Sequence, residues 1–187
     1  MANVILSMFV TLDGFISGPT GELDWLPESD DTSNDVIDTL ENADGILLGH
    51  TTYTVFEQYW PTAASDPRTY PADIHVAERL NALPKYVFSS EALKVAWQNT
   101  TVVTEPPEHA AAELKRENPG NLVVFGGADL FGSLMAAGLI DELRLSVAPV
   151  LLGDGTSLFT GTRPRRDLTL VEAKQMEPGF VRLHYRL

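Results

Sequence analysis

Leu122-Val123-Val124-Phe125-Gly126-Gly127-Ala128-Asp129-Leu130-Phe131 is an apolar strand that stops at two glycines and opens a helix. The same pattern occurs upstream in Gly45-Ile46-Leu47-Leu48-Gly49-His50-Thr51-Thr52-Tyr53. In both, an absent side chain lets a ligand reach backbone N–H groups at the positive end of a helix, which holds phosphates without lysines. Two such turns point to a dinucleotide. A simple packing turn at Gly126-Gly127, and a bend followed by ordinary threonine capping at Gly49 to Thr52, are the plainer alternatives. The spacing is not G-x-G-x-x-G, so a standard Rossmann domain is not expected.

Around these turns the chain alternates strands and helices. Val4 to Val10, Ile46 to Leu48, Tyr86 to Phe88, Thr101 to Val103 and Leu122 to Phe125 read as strands. Helices are predicted over 33–42, from Gly49 through Tyr53, Phe56 and Trp60 up to Pro61, over 72–82, over Pro107 to Arg116, and over Asp129 to Ala137 with Gly138 as its stop. Residues 11 to 21 read as a long polar, glycine-rich loop, and such loops are rarely idle. Asp141 to Val147, Thr169 to Lys174 and Phe180 to Arg186 are strands with little helix between them. The expectation is an α/β fold, one domain over 1–187, with a mainly parallel sheet, helices on both faces and an antiparallel C-terminal edge.

Composition narrows the function. The 187 residues are 44% hydrophobic and contain no cysteine, which excludes a thiolate nucleophile and cysteine-ligated zinc or iron–sulfur sites. Four scattered histidines, His50, His75, His109 and His184, make no metal cluster. A formal charge of -13 disfavours nucleic acid and anionic membranes as partners. Met1-Ala2-Asn3 leads directly into Val4-Ile5-Leu6 without a signal-like stretch, so a cytoplasmic location is expected. In so acidic a chain an anionic ligand needs local positive ends of helices.

Ser89-Ser90 also ends a strand, and ligands in open α/β sheets collect at strand carboxyl ends. Ser89-Ser90 could equally be an ordinary strand exit. Asp13, between the first strand and Gly14, is the best-placed acid to anchor or protonate a substrate; Asp24, Asp30, Asp31 and Asp35 are further candidates. Trp25 and Trp60 can be core packing or ring-stacking platforms. Leu143, Leu145, Val147 and Val150-Leu151-Leu152 can fill the core or form a dimer surface.

Thr11-Leu12-Asp13-Gly14-Phe15-Ile16, Leu47-Leu48-Gly49 with Thr52-Tyr53, Leu83-Pro84-Lys85-Tyr86-Val87-Phe88-Ser89, Val124-Phe125-Gly126-Gly127-Ala128 and Ala148-Pro149-Val150-Leu151-Leu152-Gly153-Asp154-Gly155 resemble the dihydrofolate reductase-like fold. More narrowly, they resemble the reductase domain of the bifunctional riboflavin-biosynthesis deaminase/reductase and its stand-alone relatives, along the whole chain. The resemblance implies a three-layer α/β/α sandwich, a homodimer, and hydride transfer from NADPH to an imine-type carbon of a pyrimidine- or pterin-like heterocycle. It implies NADPH binding by Gly49, His50, Thr51, Thr52, Ser89 and Ser90 near the adenosine phosphates. Phe125, Gly126, Gly127, Ala128, Asp129 and Leu130 would lie along the pyrophosphate, and Phe9 and Ile16 would face the nicotinamide. The segment from Gly14 to Leu26 would border the substrate. Similar proteins carry arginine where this chain has His50, which makes NADH the alternative cofactor. The absence of cysteine removes any deaminase half. Folate reductases use one acid of the first helix to bind the pterin, and Asp30, Asp31 and Asp35 all stand in that region. The rival is a non-catalytic dinucleotide-binding or regulatory module on the same fold.

Overall fold

The computed structural model describes residues 2–160 and 165–187. Strand β1 (Val4–Thr11) is followed by a short β2 (Phe15–Ser17), helix α1 (Asp30–Leu40), β3 (Ala43–Gly49), α2 (His50–Glu57), α3 (Trp60–Ala63) and α4 (Asp73–Ala82). Then come β4 (Lys85–Phe88), β5 (Thr100–Val103), α5 (Pro107–Glu117), β6 (Asn121–Val124), α6 (Ala128–Ala136), β7 (Glu142–Ala148), β8 (Thr156–Ser157), β9 (Thr169–Met176) and β10 (Phe180–Arg186).

Among the described residues, eight strands form one sheet in the order β5-β4-β3-β6-β1-β7-β10-β9. The first six run parallel, and β10 and β9 add an antiparallel edge. Side chains alternate across each strand, so one sheet builds two cores. Leu47 of β3 and Leu122 and Val124 of β6 pack with Ala111 of α5 and Phe131 and Leu134 of α6. Their neighbours Ile46, Leu48 and Val123 pack on the other face with Leu40 of α1 and Val76 and Leu80 of α4. The result is the expected three-layer sandwich, with β6 inserted between β1 and β3.

Three local expectations are corrected. Helix α1 starts at Asp30 because Ser29 is its N-cap, its Oγ accepting the Thr32 N–H at 3.2 Å. Pro61 does not end a helix through Trp60; α2 stops at Glu57, and Pro61 lies in the first turn of α3, where a missing N–H costs nothing. The loop over 11–21 contains β2, which pairs with β8. Leu143 and Leu145 are buried in the chain's own core, so they offer no surface to a partner, whereas Leu151 is exposed.

Lys85 begins β4 with its side chain fully buried. Its Nζ donates to the carbonyls of Leu80 and Leu83, both at 2.8 Å, and lies 4.6 Å from the Trp97 ring centroid. It therefore closes the C-terminus of α4 from inside the core, where carbonyls otherwise lack donors.

Candidate functional site

The glycine turns meet. The Gly49 N–H donates to Gly126 O at 3.1 Å, so the ends of β3 and β6 and the starts of α2 and α6 converge on one point. Gly49 and Gly127 are the N-cap residues of these helices, and neither helix has a side-chain cap. A Cβ on Gly49 would come 3.1 Å from Gly127 N, filling the space over that backbone. Gly126 has φ +106, which a side chain would strain, and its peptide bond to Gly127 is cis.

A cavity of about 1080 Å³ opens over this junction at the carboxyl ends of the parallel strands. That is the top of the range for small-molecule sites, roughly 300–1,000 Å³. Phe9, Ile16, Gly49, His50, Thr51, Thr52, Ser89, Ser90, Phe125, Gly127, Ala128, Asp129 and Leu130 all line it. Gly126 is not among the lining residues; its carbonyl is spent on Gly49. Ser89 is buried and bridges the site, with Oγ 3.3 Å from His50 Nδ1 and donating to Glu91 O at 2.9 Å. The cradle suits a dinucleotide: two uncapped helix N-termini, hydroxyls beside them, and no side chain between them.

Farther along the cavity the wall is aromatic. Phe56 packs against Phe125 (6.0 Å between centroids) and Trp60 (6.1 Å), and Tyr59 lies 4.9 Å from Trp60. Trp25 and Trp60 both line the cavity. Ser33 of α1 and Asp73 of α4 also reach it, with Ser33 Oγ donating to Asp73 Oδ1 at 2.6 Å. Nothing in the sequence singled out this pair, because the partners are forty residues apart and Asp73 resembles any first-turn acid.

Asp13 is a correction. It is not among the cavity-lining residues, and its carboxylate accepts the Thr11 hydroxyl at 2.6 Å and the N–H groups of Gly153 (2.8 Å) and Leu152 (3.3 Å). The Thr11 hydroxyl, together with those amides, holds its carboxyl below the usual carboxylate range, unsuited to donating a proton. The first-helix acids also face elsewhere. Asp30 accepts from Tyr70 OH, Asp31 from the Glu177 N–H, and Asp35 from Ser146 Oγ while it pairs with Arg182. Asp24 does not line the cavity either.

Among the described residues no group of His, Cys, Asp and Glu is placed to hold a metal ion, and no helix is long and apolar enough to cross a membrane.

Sheet order, the antiparallel edge and a cleft at the strand ends define a dihydrofolate reductase-like α/β sandwich. Residues 2–182 match the family model of the RibD C-terminal domain, and the chain belongs to that family. It is 33% identical over 184 residues to the uncharacterized protein YyaP of Bacillus subtilis, covering 98% of this chain and 94% of that one. A putative riboflavin biosynthesis protein from Shewanella sp. PV-4 superposes with a TM-score of 0.78 at 20% identity, covering 100% of this chain and 98% of the other. The Thermotoga maritima diaminohydroxyphosphoribosylaminopyrimidine deaminase/5-amino-6-(5-phosphoribosylamino)uracil reductase gives 0.69 at 13% identity, covering 99% of this chain and 56% of that one.

Proposed function

We propose that this chain, as one domain over 1–187, is a reductase that uses a nicotinamide dinucleotide, NADPH or NADH, to reduce an imine-type carbon of a pyrimidine- or pterin-like heterocycle. The observation that carries it is the junction of Gly49 with Gly126 and Gly127, where two uncapped helix N-termini open into one cavity. When bound, the dinucleotide supplies the hydride. The chain's own part is binding, orientation and exclusion of water. Backbone N–H groups at Thr51, Thr52, Ala128 and Asp129 take the phosphates, and Phe9 and Ile16 bound the nicotinamide. The wall of Phe56, Tyr59 and Trp60 dries the reacting space, which strengthens every polar contact inside it.

The test is titration with NADH and NADPH, read by quenching of tryptophan fluorescence, since Trp25 and Trp60 line the cavity. Binding with nucleotide oxidation on adding a heterocycle is expected. Binding without oxidation against pterins, pyrimidines and carbonyl compounds would favour the non-catalytic module.

Two further outcomes are expected. Loss of a proton donor typically costs about 100-fold or more in turnover, whereas Asp13→Asn is expected to keep turnover within about threefold in steady-state assays, because that carboxylate is a loop fastener. Of the side chains along the described wall, His50 is the one nitrogen base that a 2′-phosphate could meet. His50→Ala is therefore expected to weaken NADPH binding while NADH binding stays level, in the same titration. A homodimer also remains part of the proposal. Its surface would be β9 and β10, where Leu170, Val171 and Val181 are exposed, and light scattering checks it.

A further inference from the structure

The two ends of the cavity have different chemistry. At the glycine end, backbone N–H groups supply positive potential. At the far end, α1, α3 and α4 enclose Ser33, Val36, Tyr59, Trp60, Asp73 and Val76, an aromatic and aliphatic pocket with one fixed carboxylate. Ser33 is 5% exposed and holds Asp73 Oδ1, and among the described residues Asp73 Oδ2 has no hydrogen-bond donor. Asp73 stands in the first turn of α4.

No lysine or arginine lines the cavity among the described residues, while Glu28, Asp73, Glu105 and Asp129 do. A substrate phosphate needs guanidinium, ammonium or a free helix N-terminus. The N-termini at Gly49 and Gly127 are taken by the dinucleotide in the reading above. Of the others bordering the cavity, α1 carries Asp30 and Asp31, α4 Asp73 and α5 Glu108, while α3 is one four-residue turn with Pro61 in place of an N–H donor. Nothing at the far end can neutralise a phosphate dianion, and several carboxylates repel one.

We infer that the far end binds an unphosphorylated nitrogen heterocycle, neutral or cationic, whose ring N–H or amino donors are held by Asp73 with Ser33 fixing that carboxylate. The substrate class therefore differs from the phosphoribosylamino compound named for the Thermotoga maritima enzyme. This inference rests on the reductase reading for the placement of the dinucleotide.

The experiment compares 5-amino-6-(5-phosphoribosylamino)uracil with the same compound after enzymatic removal of its phosphate, by calorimetric titration of the intact protein with NADH or NADPH present. The dephosphorylated compound is expected to bind at least about 10-fold more tightly in dilute buffer, with the gap narrowing at about 0.5 M salt as screening sets in. Asp73→Asn is expected to weaken that binding by about 10-fold or more, with dinucleotide affinity and melting temperature kept, since a charge-assisted bond becomes a neutral one. Ser33→Ala gives a smaller loss in the same direction, and should Asp73→Asn fail to fold, it and the wild-type comparison decide. Equal or tighter binding of the phosphorylated compound, binding of neither, or full affinity in the folded variants overturns the inference. Failure of wild-type protein to bind either dinucleotide is a separate result; it sinks the reductase reading, and the two uracils titrated alone still judge the pocket.

Discussion

Gly49→Ala is expected to weaken the binding of NADH and NADPH by about 10- to 100-fold while the protein still folds, because overpacking a tight site costs about 1–3 kcal/mol. Backbone strain is not the cause: Gly49 has φ -73 and ψ 158, which alanine adopts freely. The cost is crowding. The new Cβ meets Gly127 N at 3.1 Å, with Gly126 O and Leu130 Cβ both at 3.8 Å, and backbone atoms cannot swing aside as a side-chain tip can. The two turns must part by a few tenths of an ångström, and a ligand spanning both loses alignment with several N–H donors at once. Fluorescence titration beside a thermal melt checks it. Unchanged affinity in a folded Gly49→Ala protein would mean that the dinucleotide does not lie across the junction. Gly126→Ala is a poorer probe, since φ +106 and the nearby Met8 Cε would disturb the fold as well.

Lys85→Met is expected to cost about 2–4 kcal/mol of stability, read as a lowered urea midpoint, because each buried acceptor left without a donor costs about 1–3 kcal/mol. The shape is nearly kept and the chain remains apolar, so the loss falls on the Leu80 and Leu83 carbonyls and on the contact with Trp97. Burial also pushes the Lys85 ammonium down to about 8. Between about pH 8 and about pH 10.4, the ordinary lysine value, the unfolded chain holds a proton that the folded chain has released. Stability of the wild type relative to Lys85→Met therefore rises with pH across that window and is level below it. A neutral amine still has two N–H donors for the two close carbonyls, so the helix closure survives deprotonation. Parallel urea titrations at several pH values check the sign, and a difference that falls with pH would refute it.

These two residues were not equally visible in the sequence. Gly49 was, because a strand, a glycine and a threonine-rich helix start are local and contiguous. Lys85 was not, since a lysine opening a strand looks solvated until Leu80, Leu83 and Trp97 are folded around it. The same division runs through the molecule. The alternation of strands and helices along the chain revealed the layers, and the break between alternating elements and late strands revealed the antiparallel edge. Asp13 misled because its sequence neighbours, a strand and a glycine, describe a loop entrance equally well; its partners at Leu152 and Gly153 are distant in the chain. Asp73 escaped notice for the same reason, as its meaning depends on Ser33.

The small pairing of β2 with β8 has an evolutionary consequence. The segment over the cavity is anchored by Phe15 and Ser17 to 156–157 at one end, and by Ser29 and Asp31 to Glu177 at the other. The part of the chain best placed to alter ligand choice is thus laced to residues more than a hundred positions later, while the glycine turns belong to strands that do not share those ties. Drift in substrate preference among relatives should then proceed by paired changes, one in the early roof and one in the late loops. Chimeras exchanging residues 15–31 alone would inherit mismatched seams, whereas those that also carry over 150–157 and 176–178 would move as a working cassette.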